Sequence, residues 1–205
     1  MKVILTKGVL VLLVVLMLCS LFSCKKDDKN EGAEPVDFAA MSDEELSSFI
    51  SLGEYKGLTV TLGSATKGEA VWAAVKKNAM LKAYPEEQVE YYISQQRAQY
   101  AYYAEQADMS YEEMLSEVGE TEQSIKETAE QMTLGDLVYH ALLRAEGIEL
   151  SKEEKSKFFE RYVEKFVADY GYTREYVKEN MVEEIYESML HDKATEFLIT
   201  NNQFE

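Results

Sequence analysis

Apolar residues follow two regimes along the chain. From Val9 to Cys19 they run unbroken, whereas beyond residue 42 they recur every three or four positions among charged neighbours, the period of an α-helix. Polar punctuation marks where these helices start and stop. Ser42-Asp43-Glu44-Glu45 has the form of a capping box, in which the Ser oxygen and the Glu carboxylate satisfy each other's free amides. It predicts a short helix to about Ile50. Thr66-Lys67-Gly68-Glu69 opens another, ending before Tyr84-Pro85, because proline disfavours helical geometry in the residue before it. Pro85 suits the first turn of the next helix, to about Ala107, with Glu86 and Glu87 complementing its dipole. Ser110-Tyr111-Glu112-Glu113 caps a two-turn piece closed by Gly119. Thr121 opens a helix over 122–146, ended by Gly147, and Ser151-Lys152-Glu153-Glu154 opens one that stops at Gly171. Thr173 starts a short turn, and Asn180-Met181-Val182-Glu183 reads as the cap of a last helix to about Thr200. Between the first two helices Leu58, Val60 and Leu62 alternate with Thr59 and Thr61, one short strand after the turn Gly53–Gly57. About two thirds of the chain is then helical, twice the usual share, and the class is mainly α, a multi-helix domain.

The helical faces are wide and aromatic. Phe158, Phe159, Tyr162, Val163, Phe166 and Val167 form one stripe; Met181, Val182, Ile185, Tyr186, Met189, Leu190 and Phe197 form another. Residues 84–111 hold seven of the fourteen tyrosines. Those seven cannot share one core, because neighbours such as Tyr102 and Tyr103 point about 100° apart.

The opening stretch has a different logic. Lys2 and Lys7, a short apolar run and a small residue before Cys24 have the layout of an export signal over residues 1–23. The run is short for a bilayer span, which takes about 20 residues. Leu21-Phe22-Ser23-Cys24 resembles a bacterial lipobox, with Phe22 bulkier than is usual there. The resemblance implies that Cys24 becomes the first residue and carries covalent diacylglycerol and an N-acyl lipid, while Cys19 leaves with the signal. A plain signal peptide or anchor helix with an incidental cysteine is the competing reading. Residues 24–41, charged and aperiodic, then form a flexible tether, and 42–205 the folded domain.

Composition sharpens this division. The 205 residues carry a formal charge of −17; without residues 1–23, 182 residues carry 19 basic and 38 acidic side chains, or −19. Such an excess argues against nucleic acid as a partner, since phosphate binding needs clustered Lys and Arg, and against a polybasic grip on anionic lipid. In those 182 residues Leu, Ile, Val and Phe number 37, a lean core supplemented by 21 Tyr and Met. No catalytic constellation stands out. His140 with Asp136, and His191 with Asp192, are weak metal candidates that read better as helix-face residues. Adjacent carboxylates such as Glu112-Glu113 diverge on a helix, and no phosphate loop or nucleophile elbow is present.

Within this frame, Val71-Trp72, Val75, Asn78-Ala79 and Tyr84-Pro85-Glu86-Glu87-Gln88-Val89 resemble the chaperone domain of trigger factor. So do Met109 to Leu115, the Gly119-Glu120-Thr121 turn, Arg144 to Glu154, Ala168 to Gly171 and Lys193 to Leu198; Leu52 to Val60 resembles the segment that leads out of the family's ribosome-binding domain. The order and spacing of these pieces carry the likeness over about residues 50–200. Only Gly63 to Ala70 stand where the family has an FKBP-type prolyl-isomerase insert, and a lipid signal stands in place of the ribosome-binding domain. The resemblance implies the C-terminal, SurA-like helical fold with paired arms, no ribosome binding and no isomerase domain.

It also implies a function. The expectation is an ATP-independent holdase, lipid-anchored on the extracytoplasmic face of the cell membrane, that binds unfolded or nascent exported polypeptides without a cofactor and without being an enzyme. Tyr91, Tyr92, Tyr100, Tyr103, Met109 and Met114 are the candidate client-facing residues, since Met and Tyr accept varied apolar segments. The plainer reading is that these side chains fill a thin core. Alternatives for the whole are an adaptor lipoprotein with one envelope partner and, remotely, a prolyl-isomerase-associated folding factor.

Overall fold

The computed structural model describes residues 33–205, so Cys24 and the expected export signal lie outside the described residues. About two thirds of the described residues are helical, in eight helices with only two-residue strands between them. The chain divides into two units, 84–133 with 33–36, and 37–83 with 134–205.

The first unit is built on α3 (Glu86–Gln106) and α4 (Tyr111–Val118) and includes the opening turns of α5 (Glu122–Glu146). Val89, Ile93, Gln96, Tyr100 and Ala104 recur every three or four residues and are buried along one stripe of α3. They share a core with Met114 and Leu115 of α4 and with Ile125 and Ala129 of α5. The caps read from sequence for this unit are present: Ser110 and Glu113 form a reciprocal box, and Thr121 and Ser124 exchange bonds at 3.0 and 2.8 Å. Gly119, at φ 78°, lets the Glu120 amide turn back to the Leu115 carbonyl at 2.9 Å, which ends α4 in a Schellman motif.

The second unit contains α1 (Asp43–Phe49), β1 (Ile50–Ser51), β2 (Thr59–Val60), α2 (Lys67–Asn78) and β3 (Met80–Leu81). After the rest of α5 come α6 (Lys152–Tyr170), α7 (Arg174–Asn180), α8 (Val182–Thr200) and β4 (Gln203–Phe204). Two packings hold it. Helix α2 lies along α8, with Val71 and Val75 buried on one and Ala194 and Leu198 on the other. Helices α6, α7 and α8 enclose Tyr162, Val163, Phe166, Val177, Met181, Ile185 and Met189.

Four details depart from the sequence expectation. The single strand is instead two ladders: β1 pairs antiparallel with β3, and β2 pairs parallel with β4. The backbone of 58–62 finds its partners at the chain's end, where Gln203 and Glu205 donate to Leu58 and Val60. Helix α2 stops at Asn78 rather than running to Tyr84, because Met80–Leu81 pairs with Ile50–Ser51. That junction is tight: a Cβ on Gly53 would lie 2.1 Å from the Asn78 carbonyl oxygen. Helix α8 is not capped by Asn180, whose amide instead donates to the Tyr176 carbonyl at 2.9 Å inside α7; Met181 takes the cap position without a side-chain bond. Finally, residues 37–41, placed in the expected tether, dock on α5. Phe38 is buried and stacks on His140, and Arg144 donates to the carbonyls of Phe38 (2.8 Å), Ala39 and Met41.

Candidate functional site

The tyrosine-rich surface belongs to the first unit, and its polar ties fix α3, α4 and α5 before any aromatic face is presented. Buried Gln96 donates to the Ile125 carbonyl of α5 at 3.3 Å. Buried Gln88 accepts from the Val36 amide at 2.8 Å. Arg97 of α3 grips one oxygen of Glu122 through Nη2 and Nε at 2.6 and 2.9 Å, and the Tyr111 hydroxyl of α4 donates to the other at 2.8 Å. The Arg97 and Tyr111 bonds hold the Glu122 carboxyl below its ordinary value. Burial and the bond to Glu122 push the Tyr111 phenol up to about 12.

The six sequence candidates separate on this frame. Tyr100 and Met114, 5% and 1% exposed, are core side chains of the α3–α4 packing and do not face solvent. For these two, filling the thin core is the structural role. Tyr91, Tyr92, Tyr103 and Met109 are half-buried, and Tyr92, Tyr103 and Met109 pack against that core with part of each surface outward. Tyr91 and Tyr92 are in ring contact at 5.4 Å, and Tyr103 meets the edge of Tyr102 at 5.7 Å. Tyr102, not among the candidates, is the most exposed ring here at 57%. Its signal was available in the sequence, because it lies on the side of α3 opposite the Ile93–Tyr100 stripe.

Charge rims these rings. Residues 84–133 hold twelve acidic and two basic side chains, and both cations are engaged, Arg97 by Glu122 and Lys126 by Glu130. The surface therefore joins aromatic and thioether groups with solvated carboxylates. Such a surface can hold apolar segments reversibly.

The two histidines lie elsewhere, in the second unit, within an aromatic cluster of Trp72, Tyr139, His140, His191 and Phe38. Desolvation pushes His140 down to about 4, with Arg144 adding to the effect, and lowers His191 as well. Among the described residues no three His, Cys, Asp or Glu side chains gather closely enough to hold a metal ion. Sequence reasoning did not find this cluster, because its members come from the leading segment, α2, α5 and α8.

Residues 62–200 match the family of the bacterial trigger factor protein C-terminus. The chain belongs to the trigger factor C-terminal family. A trigger factor of Caldicellulosiruptor bescii is 26% identical over 120 residues, covering 57% of this chain and 26% of that protein. The chain thus spans about a quarter of the relative's length. No solved structure matches it. The trigger factor C-terminal domain is of chaperone type, and the mainly helical fold described above is consistent with it.

Proposed function

We propose that the protein is an ATP-independent holdase for unfolded exported polypeptides, anchored through lipid on Cys24 at the extracytoplasmic face of the membrane. The observation that carries the chaperone part is the match of residues 62–200 to the trigger factor C-terminal family. The half-buried Tyr91, Tyr92, Tyr103 and Met109, with exposed Tyr102, supply the surface that would receive clients. Flexible Met and stiff amphipathic Tyr suit segments of varied sequence, and the acidic rim keeps loaded and empty molecules apart.

The processed protein should suppress aggregation of an unfolded client at stoichiometric amounts, and Tyr102→Ser combined with Tyr103→Ser should weaken that suppression. No suppression at a several-fold excess would defeat the holdase reading. In-cell cross-linking should give many bands; one dominant band would mean an adaptor for a single partner instead. Anchoring is checked separately by palmitate labelling, which should vanish in Cys24→Ser.

A further inference from the structure

Helix α6 carries Lys152, Lys155, Lys157, Arg161 and Lys165 within one stretch of the second unit. Lys157, Arg161 and Lys165 follow at i, i+4 and i+8, so they line one helix face over about 12 Å. All three are exposed. Three of the carboxylates around them are engaged by other cations. Glu154 binds Lys193 at 2.6 Å, Glu160 binds Lys178 at 2.6 Å and also Arg174, and Glu164 binds Arg174 at 2.6 Å. Lys165 meets Asp169 at 3.5 Å in an exposed pair, and exposed Glu153 flanks the stripe.

Aromatic rings support the cations from beneath. The Lys157 ammonium lies 5.1 Å and the Arg161 guanidinium 4.9 Å from the Phe158 ring centre, and Arg161 is 5.3 Å from that of Tyr162. Lys155 lies 4.5 Å from the Tyr186 ring centre. Stems held on apolar surface with charged heads outward are the arrangement of side chains at a lipid headgroup layer.

We propose that this face of α6 rests on anionic phospholipid headgroups and orients the domain on its membrane. The proposal builds on the membrane-anchored reading given above. Whole-chain composition argued against a polybasic grip, but it averaged charges that the fold separates. Residues 151–181 hold seven acidic and seven basic side chains, whereas 84–133 are strongly acidic. Charges farther than about 8 Å are screened at physiological salt, so a membrane responds to the face it touches rather than to the net −19. Each Lys or Arg at an anionic surface favours contact by about fivefold. Anchored at Cys24, the folded chain is held to lipid by residues 24–36, at most about 45 Å when fully extended.

The test uses the processed full-length protein in vesicles, with a fluorophore on Ala168→Cys, an exposed α6 position on the stripe's face. Quenching by brominated lipid should rise at least about twofold when a third of the phosphatidylcholine is replaced by phosphatidylglycerol, and should fall back in about 0.5 M salt. The variant combining Lys157→Gln, Arg161→Gln and Lys165→Gln should lose the rise with an unchanged circular dichroism spectrum, and Lys157→Arg with Lys165→Arg should keep it. Equal quenching in neutral and anionic vesicles, or in the wild type and the Gln variant, overturns the proposal. So does a stripe that binds polyglutamate while the quenching stays flat, which would assign it to an acidic polypeptide. Flotation on phosphatidylcholine alone reads the anchor. A chain that does not float there defeats the anchor, and the stripe is then read by flotation on phosphatidylglycerol vesicles at low salt, expected for the wild type and absent in the Gln variant.

Discussion

The Trp72 indole stacks on the His191 imidazole, with ring centroids 5.5 Å apart and planes 20° from parallel. The same indole donates to the Thr195 hydroxyl at 2.8 Å, so α2 is pinned to α8 by a stack and a hydrogen bond together. His140 joins the cluster through Tyr139 at 5.1 Å and covers Phe38 on its other side at 5.4 Å. His140, desolvated between Tyr139 and Phe38, therefore stabilises the second unit in its neutral form.

Acidification should loosen that unit. Burial holds His140 near 4 against an ordinary value of 6.5 and lowers His191, so the unfolded chain takes up these protons first. Stability is full above pH 6.5 and declines as pH falls toward 4, with at most about 3 kcal/mol from His140. Asp37 and Asp192 oppose the histidine shifts, and Arg144 reinforces that of His140. Glu187, whose carboxyl is raised by burial, stabilises in the opposite sense as it protonates. Urea midpoints followed by the fluorescence of Trp72 should drop between pH 7 and pH 5, and His140→Phe should flatten that dependence.

Tyr139 offers a stabilising change. Its hydroxyl is buried without a hydrogen-bond partner among the described residues, and burial raises its pKa. An unpaired buried hydroxyl costs about 1–3 kcal/mol, so Tyr139→Phe should raise stability by about 1 kcal/mol, read as a higher denaturation midpoint.

Two tyrosines of α3 separate core from surface. Tyr100 is 5% exposed and Tyr102 57%. Tyr100→Ala should cost about 3–5 kcal/mol in unfolding experiments. Tyr102→Ala should stay within about 0.5 kcal/mol of the wild type and lower the potency of aggregation suppression.

Docking of the leading segment rests on Phe38 and Arg144. Phe38→Ala should abolish hydrogen-exchange protection of the Ala40 amide, which is bonded to the Asp37 carbonyl at 3.2 Å, before the helices lose theirs. Arg144→Met leaves the Phe38, Ala39 and Met41 carbonyls without this donor and should cost about 1–3 kcal/mol.

Helix termini were legible wherever the signal is local. The boxes at Thr66, Ser110 and Ser151 and the stop at Gly119 each involve groups a few residues apart. Asn180 was misread because an Asn near two helix ends serves either one, and only packing at Met181, 2% exposed, decides which. The strand partners were illegible for a related reason: residues 201–205 have no alternating pattern, and their pairing with 58–60 is long-range.

Of the candidate site, the sequence determined the inventory. Seven tyrosines in residues 84–111, an acidic excess and a mainly helical chain follow from residue types and the 3.6-residue period. Tertiary structure decided their roles. Helix packing put Tyr100 and Met114 inside and left Tyr102 out, because burial depends on which face meets another helix. It also brought Phe38, Trp72, Tyr139, His140 and His191 into one cluster, and engaged Glu154, Glu160 and Glu164 with cations, leaving Lys157 and Arg161 facing outward over rings. Composition sums charge over the chain, whereas a surface acts through the charges within a screening length of one another.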